Sequence, residues 1–436
     1  MIDEQQVSKV PSDDYKQRIA DILLKKTMET SGAVHLVGPK WCGKTTTAER
    51  LANQAVYFQD PDKRDSYLQV AQNKPSALLE GKRPLLLDEW QDAPKIWDAV
   101  RFAVDREKKF GQFILTGSTV PKDNEIRHSG TGRISHVHMR TMSLYESGES
   151  SGSVSLAKII KGDSVSSNAD ISGQSMLKFD EVARVVVRGG WPMSVINPND
   201  SASIQATNYI ESVIDSDISR VDGIEKNPKR VRLLMRSLAR NESTEAAMTT
   251  LKADMAADEG KLSTNTISQY LNALRRLYIL EEQEAWAPAV RSKVAIRTSP
   301  IRRYCDPSLA AALLRLTPEK LLVDYNTFGL LFESLCIRDL RCYAQANDAE
   351  VYHYRDARGL ESDAIIECGD GSWGAIEIKL ETRRVEQAAE TLKKIKDEVR
   401  SQHGGKAKFL VVIVSEGYAY RRDDGVYVVP IACLRP

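Results

Sequence analysis

No stretch of this 436-residue chain approaches the roughly 18 consecutive apolar residues that a bilayer-spanning helix needs. Apolar runs stop at about six residues, and one of that length, Phe409 to Val414, reads as a buried strand. Cysteine is scarce: the six (Cys42, Cys305, Cys336, Cys342, Cys368, Cys433) form no CxxC pair, which excludes a disulfide framework and makes a zinc site improbable. The first residues, MIDEQQVSKVPSDD, lack the basic and then apolar regions of a signal peptide, so the expected location is the reducing cytoplasm. No repeat of 20 to 50 residues is visible. An excess of charge is missing as well, because 61 Lys and Arg meet 60 Asp and Glu, for a net charge of +1. No global field therefore points to a polyanion or a membrane surface, and any such partner has to be read locally.

What is present is ordinary for globular domains: 42% hydrophobic and 28% charged residues, over a length that implies two to four domains. Helical spacing of Ile19, Ile22 and Leu23 precedes Gly32 and the short apolar run Ala33 to Val37. A Gly-rich turn, a helix from Lys44 to about Gln54, a strand Pro84 to Leu87, a helix Ile96 to Lys109 and a strand Gln112 to Thr116 follow. Strands alternating with helices predict a parallel sheet with crossovers. From Glu146 to Ser175 the chain is rich in Ser and Gly, which predicts an exposed, mobile connection. Phe179 to Val221 reads as helical around the Gly189-Gly190-Trp191-Pro192 turn, a lid-like element.

Gly38-Pro39-Lys40-Trp41-Cys42-Gly43-Lys44-Thr45 matches GxxxxGK[ST] between a predicted strand and a predicted helix, the setting a phosphate-binding loop requires. Its glycines let backbone N–H groups wrap phosphates at a helix N-terminus. Lys44 would then reach the β and γ phosphates, Thr45 would ligate Mg²⁺, and Thr46 continues the binding segment. Leu85-Leu86-Leu87-Asp88-Glu89 reads as a central buried strand ending in two acids at the ligand crevice. Asp88 is the second Mg²⁺ candidate, and Glu89 is placed to deprotonate a water for attack on the γ-phosphoryl group. The strand Phe113-Ile114-Leu115 runs into Thr116-Gly117-Ser118, where Ser118 is the candidate hydroxyl for the γ-phosphate or the water. Arg133 is a candidate for neutralising transition-state charge, against the plainer reading of a surface ion pair.

GPKWCGKTT, LLLDEW and LTGS, followed by GRISHVHMRTMSLYESGESSG, resemble the bacterial and archaeal AAA-type ATPases that carry a C-terminal domain of unknown function. The resemblance covers nearly the whole chain and is most specific in the first 150 residues. It implies an AAA-like core, ATP with Mg²⁺, and a nuclease-like fold at the C-terminus.

Between Lys226 and Tyr304 there are 15 Lys and Arg against 8 Asp and Glu, so near-neutrality hides a basic block. Ser263 is an N-cap candidate. Ile267, Leu271 and Leu274 then repeat at helical spacing, leaving Asn265, Thr266, Ser268, Gln269, Asn272 and Arg275 on a polar face suited to a DNA groove. Two preceding helices and two strand-like runs, Ile279 to Ala285 and Val294 to Cys305, give the order of a winged helix, with Arg297, Arg302 and Arg303 as phosphate contacts. The plainer reading is a solvated helix face on an interdomain spacer.

Further on, Leu360 to Glu367 and Trp373 to Leu380 read as a hairpin about Gly369-Asp370-Gly371. Symmetry about Asp370 sets Asp363 opposite Glu377 and Glu361 opposite Lys379 on one face. The second pair is an ordinary salt bridge, whereas opposed carboxylates need a cation or a proton between them. Asp363, thirteen residues, then Glu377-Ile378-Lys379 resembles the D…ExK pattern of the PD-(D/E)xK nuclease superfamily, with Glu333 matching its accessory acid and Ser362 standing where the family name has Pro. That resemblance implies metal held by Asp363 and Glu377, with Lys379 orienting the attacking water.

The expected fold class is α/β: a P-loop NTPase (AAA-like) parallel-sheet core (1–145), a flexible connection and helical lid (146–225), a winged-helix-like basic domain (226–320) and a C-terminal α/β restriction-endonuclease-like domain (321–436). The expected function is an ATP- and Mg²⁺-dependent ATPase whose cycle controls a DNA-facing C-terminal half, through 226–304 and 321–436. The alternatives are a metal-dependent DNA nuclease regulated by ATP and a non-enzymatic nucleotide-dependent switch that recruits a protein. Assembly into a homo-oligomer is left open.

Overall fold

Every residue of the run Ala33–Val37 is buried, and so is every residue of Leu85–Asp88 and Phe113–Gly117, as central strands covered on both faces require. In the computed structural model, which describes residues 15–119, 130–162, 171–198, 203–221, 223–259, 263–288, 299–401 and 407–436, these become β1, β3 and β4. With β2 (Gln54–Tyr57) and β5 (Ile134–His138) they form a five-stranded parallel sheet in the order β2-β3-β4-β1-β5. Side chains alternate between faces, as the period of two demands. Val34, Leu36, Leu86 and Ile114 meet α1 (Ile19–Met28) and α2 (Lys44–Leu51) in one core cluster. Leu85, Leu87, Phe113 and Leu115 face the other way, onto α3 (Arg64–Asn73) and α4 (Lys95–Glu107). The sequence reading missed β2 because it ran the preceding helix to Gln54, where the structure ends α2 at Leu51 and begins a strand.

The chain divides into two compact units. The first comprises residues 1–141, 216–225 and 272–279, and contains the parallel sheet. The second comprises 142–215, 226–271 and 280–436.

In the second unit the Ser/Gly-rich stretch departs from expectation. It holds α5 (Leu144–Ser147), β6 (Val154–Ser155), α6 (Leu156–Lys161) and β7 (Gly173–Gln174), while 163–170 lie outside the described residues. Two of its serines are fixed by backbone: Ser150 Oγ donates to Leu434 O at 2.6 Å and Ser155 Oγ to Pro436 O at 3.0 Å, beside the pairing of β6 with the last strand. Composition reads serine as solvent-seeking, but a small hydroxyl that can satisfy a buried carbonyl is equally suited to packed turns.

Next come α7 (Phe179–Arg188), α8 (Pro192–Ile196), α9 (Ile204–Ser212), α10 (Pro228–Arg240), α11 (Met248–Glu259) and α12 (Thr264–Arg276), the last crossing the division between units. Two strands, β8 (Leu280–Gln283) and β9 (Ile301–Tyr304), pair antiparallel. The expected strand from Val294 thus begins only at Ile301, and 289–298, including Arg297, lie outside the described residues. After α13 (Pro307–Leu313) and α14 (Pro318–Leu321), the order helix, three strands, helix, strand follows as expected. These elements are α15 (Tyr325–Ala346), β10 (Ala349–Arg355), β11 (Glu361–Cys368), β12 (Trp373–Lys379), α16 (Val385–Ser401) and β13 (Phe409–Val414). With β14 (Tyr418–Arg421), β15 (Tyr427–Pro430) and β7 the strands make a seven-stranded mixed sheet, and β16 (Leu434–Arg435) pairs with β6. Among the described residues no helix is long and apolar enough to cross a membrane.

Candidate functional site

The chain leaves the C-terminal end of β1 at Val37 and turns through Gly38 to Gly43 into α2. Gly38 has φ 153°, and a Cβ there would stand 2.0 Å from Met139 O; Gly43, the residue before α2, has φ 102°. Both positions therefore require glycine. Arg18, 4% exposed, ties the loop down by donating to Cys42 O and Arg140 O, each at 2.8 Å. Cys42 is fully buried, with Sγ directed at Met139 O. Lys44 is 4% exposed, and its ammonium donates to Gly38 O (3.0 Å) and Pro39 O (2.8 Å), which holds it inside the turn. Thr46 is half-buried on the first turn of α2, and Trp41 is exposed with φ 65°. Lys40 turns away from the loop interior, its ammonium 2.7 Å from Asp217 Oδ1. Asp217 lies 177 residues along the chain, and nothing in the sequence pairs the two.

Strand order sets the acids of β3 beside this loop. Asp88 Oδ1 accepts from Thr45 Oγ1 at 2.7 Å and from Thr116 Oγ1, at the end of β4, at 2.6 Å. Burial raises the Asp88 pKa; the two hydroxyls oppose that shift, and neighbouring Glu89 adds to it. A buried carboxylate and a hydroxyl converging in this way fit a Mg²⁺ ion, which takes one or two protein oxygens and otherwise keeps water. Glu89 has the left-handed backbone (φ 53°, ψ 47°) that non-glycine residues seldom adopt outside functional turns. Its N–H donates to Thr116 Oγ1 at 3.1 Å, and its carboxylate accepts from Ser118 Oγ at 3.0 Å and from Gln91 Nε2. The next residue, Trp90, donates Nε1–H to His35 Nε2 at 2.9 Å, and burial holds the His35 pKa well down, so the imidazole is a neutral acceptor.

Lys44, Thr45, Asp88, Glu89 and Ser118 therefore come together. Arg133 does not. It precedes β5 at the sheet edge where Ala33 pairs with Ile134, whereas the loop leaves the edge where Val37 pairs with His138. Four residues of strand, about 13 Å, separate the two edges. Arg133 Nε instead donates to Asp105 Oδ1 at 2.7 Å, the plain surface ion pair. Thr116, Gln91 and Asp217 were missed. Thr116 was within reach of the sequence, as the residue on which a strand parallel to LLLD would end; the other two have no local signal.

A second charged cluster lies in the C-terminal unit. The hairpin register is symmetric about Asp370, with Ala364 opposite Ile376 and Glu367 opposite Trp373. Asp363 Oδ2 accepts from Ile378 N at 2.7 Å, and the Lys379 ammonium stands 2.6 Å from Glu377 and 3.3 Å from Asp363. The expected Glu361–Lys379 bridge is thus replaced: Lys379 sits between the opposed carboxylates, and Glu361 lies 3.9 Å from Arg355. Burial pushes the pKa values of Glu377 and Glu333 well above the usual carboxyl range, with Asp363 adding to both shifts. Glu333 does belong to this electrostatic neighbourhood, but its carboxylate is held by Arg303 Nη2 at 2.6 Å. Among the described residues no three His, Cys, Asp or Glu side chains are grouped to hold a metal ion.

The strand arginines also differ from expectation. Arg303 is 1% exposed and bonds Gln283, Ser243 and Glu333, while Arg302 pairs with Glu282 and donates to Ala246 O. Neither presents a guanidinium to a phosphate backbone. On α12, Ile267, Tyr270, Leu271 and Leu274 are buried, and Asn265, Gln269 and Asn272 are exposed as expected.

Residues 30–148 match the family model described as an AAA domain, and residues 179–320 and 328–434 match two different domains of unknown function. Two uncharacterized proteins, of Mycobacterium bovis and Mycobacterium tuberculosis, are each 22% identical over 367 residues, spanning 84% of this chain and 74% of theirs. Among solved structures, a Walker-type ATPase of Pyrococcus abyssi aligns with 70% of this chain and 98% of its own at 13% identity and a TM-score of 0.43. The match over 30–148, on a parallel-sheet core with this loop, makes the N-terminal part an AAA-type P-loop ATPase domain.

Proposed function

We propose that the chain is an ATP-binding, Mg²⁺-dependent ATPase, and the observation that carries this is the convergence of Thr45 and Thr116 on Asp88 with Glu89 pinned beside them. In this reading the loop amides and Lys44 bind the β and γ phosphates, the ammonium exchanging the Gly38 and Pro39 carbonyls for phosphate oxygens. Thr45 and Asp88 would hold Mg²⁺, which would supply positive charge to offset that of the phosphates. Glu89 takes a proton from the attacking water, and Ser118 with Gln91 fixes the carboxylate that receives it. Neutral His35, accepting from Trp90 Nε1–H, braces the turn that carries Glu89.

The nucleotide cycle acts, we propose, on a C-terminal half that meets DNA through the exposed polar face of α12. One assay tests both statements: phosphate release with and without duplex DNA, alongside nucleotide titration. Lys44→Ala is expected to weaken ATP about 10- to 100-fold. Glu89→Gln is expected to bind ATP as the wild type does and turn over about 10²- to 10⁴-fold more slowly. Undiminished hydrolysis by Glu89→Gln removes Glu89 as the base. Duplex DNA is expected to stimulate the wild type, and an unchanged rate removes the DNA-facing part.

A second reading rests on the Asp363–Lys379–Glu377 arrangement: a metal-dependent nuclease with ATP as regulator. Metal-dependent DNA cleavage lost in Asp363→Ala with ATPase intact supports it, and no cleavage by the wild type ends it. ATP retained stoichiometrically, with negligible phosphate release by the wild type, is the outcome that favours a non-enzymatic switch.

A further inference from the structure

A cavity of about 540 Å³ opens within the second unit between α9, α10, α13 and the loop after α13. Its apolar lining comes from Val187, Ile204, Ile210, Leu313 and Leu316. Three guanidinium groups, of Arg232, Arg236 and Arg315, border the same space, with Glu211 as the one carboxylate among the described residues. Glu211 is engaged by Arg232, whose Nη1 and Nη2 both donate to it, the first at 2.8 Å. Arg236 and Arg315 are exposed, and no ion pair or side-chain hydrogen bond engages either guanidinium among the described residues. The hydroxyls of Thr207 and Thr317 also border the space.

The position of Arg315 is informative. Its φ is 54°, its N–H donates to Ala312 O at 3.0 Å and that of Leu316 to Ala311 O at 2.9 Å, so it occupies the left-handed site that closes α13. Helices generally place glycine there, because a side chain strains this backbone. An arginine is instead kept, over a cavity two other arginines share, with a guanidinium that makes no side-chain bond among the described residues. The carboxyl-terminal dipole of α13 brings about half a negative charge near the site, too little to offset two guanidinium groups that form no ion pair among the described residues.

We infer that this cavity binds a small organic anion with an aliphatic body. Its anionic group, carboxylate or phosphate, meets Arg236 and Arg315, and its apolar part lies on Ile204, Ile210 and Leu313. The volume falls in the range of small-molecule sites, roughly 300–1,000 Å³, and guanidinium forks suit both anion types. None of these residues belongs to the nucleotide loop, so the inference stands apart from the ATPase reading.

Three probes test it on the full chain by calorimetric titration: octyl phosphate, inorganic phosphate and octyl glucoside. Octyl phosphate is expected to saturate one site outside the nucleotide loop, in the presence of ATP, at least about tenfold more tightly than either other probe. The Arg236→Gln/Arg315→Gly variant should fold, since one change is on an exposed helical position and the other restores the residue the backbone favours. It is expected to lose about 100-fold in octyl phosphate affinity, about tenfold per guanidinium, with ATP affinity unchanged. Equal affinity for octyl glucoside, equal affinity for inorganic phosphate, no saturable site, or wild-type affinity in the variant would each overturn the inference.

Discussion

Thr116 shows how much of the nucleotide site rests on one hydroxyl. It donates to Asp88 Oδ1 and accepts from Glu89 N, so it joins the metal-ligand candidate to the base candidate. Valine has the same shape without the hydroxyl. Thr116→Val leaves a buried carboxylate one donor short and a strained N–H without its acceptor, at about 1–3 kcal/mol of stability. Because Thr116 itself bonds Asp88 and Glu89 and Asp88 keeps its bond from Thr45, nucleotide affinity should stay within about threefold, while phosphate release falls about 10- to 100-fold. Parallel fluorescent-nucleotide titration and turnover measurements check this, and unchanged turnover would make Thr116 a packing residue only. The motif acids and the loop lysine were legible in the sequence because their spacing is local. Thr116 acts through strand adjacency and Asp217 through a partner far along the chain, and one-dimensional spacing carries neither; Gln91 lies only two residues from Glu89, but its bond depends on the left-handed turn between them.

Elements were legible where one physical pattern dominated. β1, β3 and β4 are continuous apolar runs, and the hairpin of β11 and β12 follows from a Gly-Asp-Gly turn between alternating strands. That register brought Asp363 near Glu377–Lys379 as expected, yet the partner of Lys379 was misjudged, because a long ammonium chain can choose between two carboxylates. Arg302 and Arg303 show the same limit. Basic residues on a strand look like a phosphate contact until tertiary packing sets Glu282 and Glu333 against them. Ser150 and Ser155 err in the opposite sense, since their hydroxyls hold the C-terminal segment around the final strand. The DNA reading therefore rests now on the exposed face of α12 alone.

At the scale of the whole molecule, the buried acids of the second unit link stability to pH. Glu242 is 2% exposed; its carboxylate accepts from Ser334 Oγ at 2.6 Å and Tyr304 N at 3.1 Å, and burial pushes its pKa up to about 7. Glu333 and Glu377 are shifted the same way. A raised carboxyl pKa means that the folded chain holds a proton the unfolded chain has released, so stability falls as pH rises from the unfolded value through the folded one. Buried His35 and His353 have lowered pKa values and act in reverse, adding stability as pH rises, but only up to their unfolded value of about 6.5. Between pH 6.5 and 8.5 the carboxyls therefore decide the sign, and the unfolding free energy should drop by about 1 kcal/mol from Glu242 alone. Glu242→Gln keeps the shape and an acceptor for Tyr304 N while removing the proton. Its thermal unfolding midpoint should fall less over this interval than that of the wild type, and parallel profiles for the two would show that Glu242 does not titrate there.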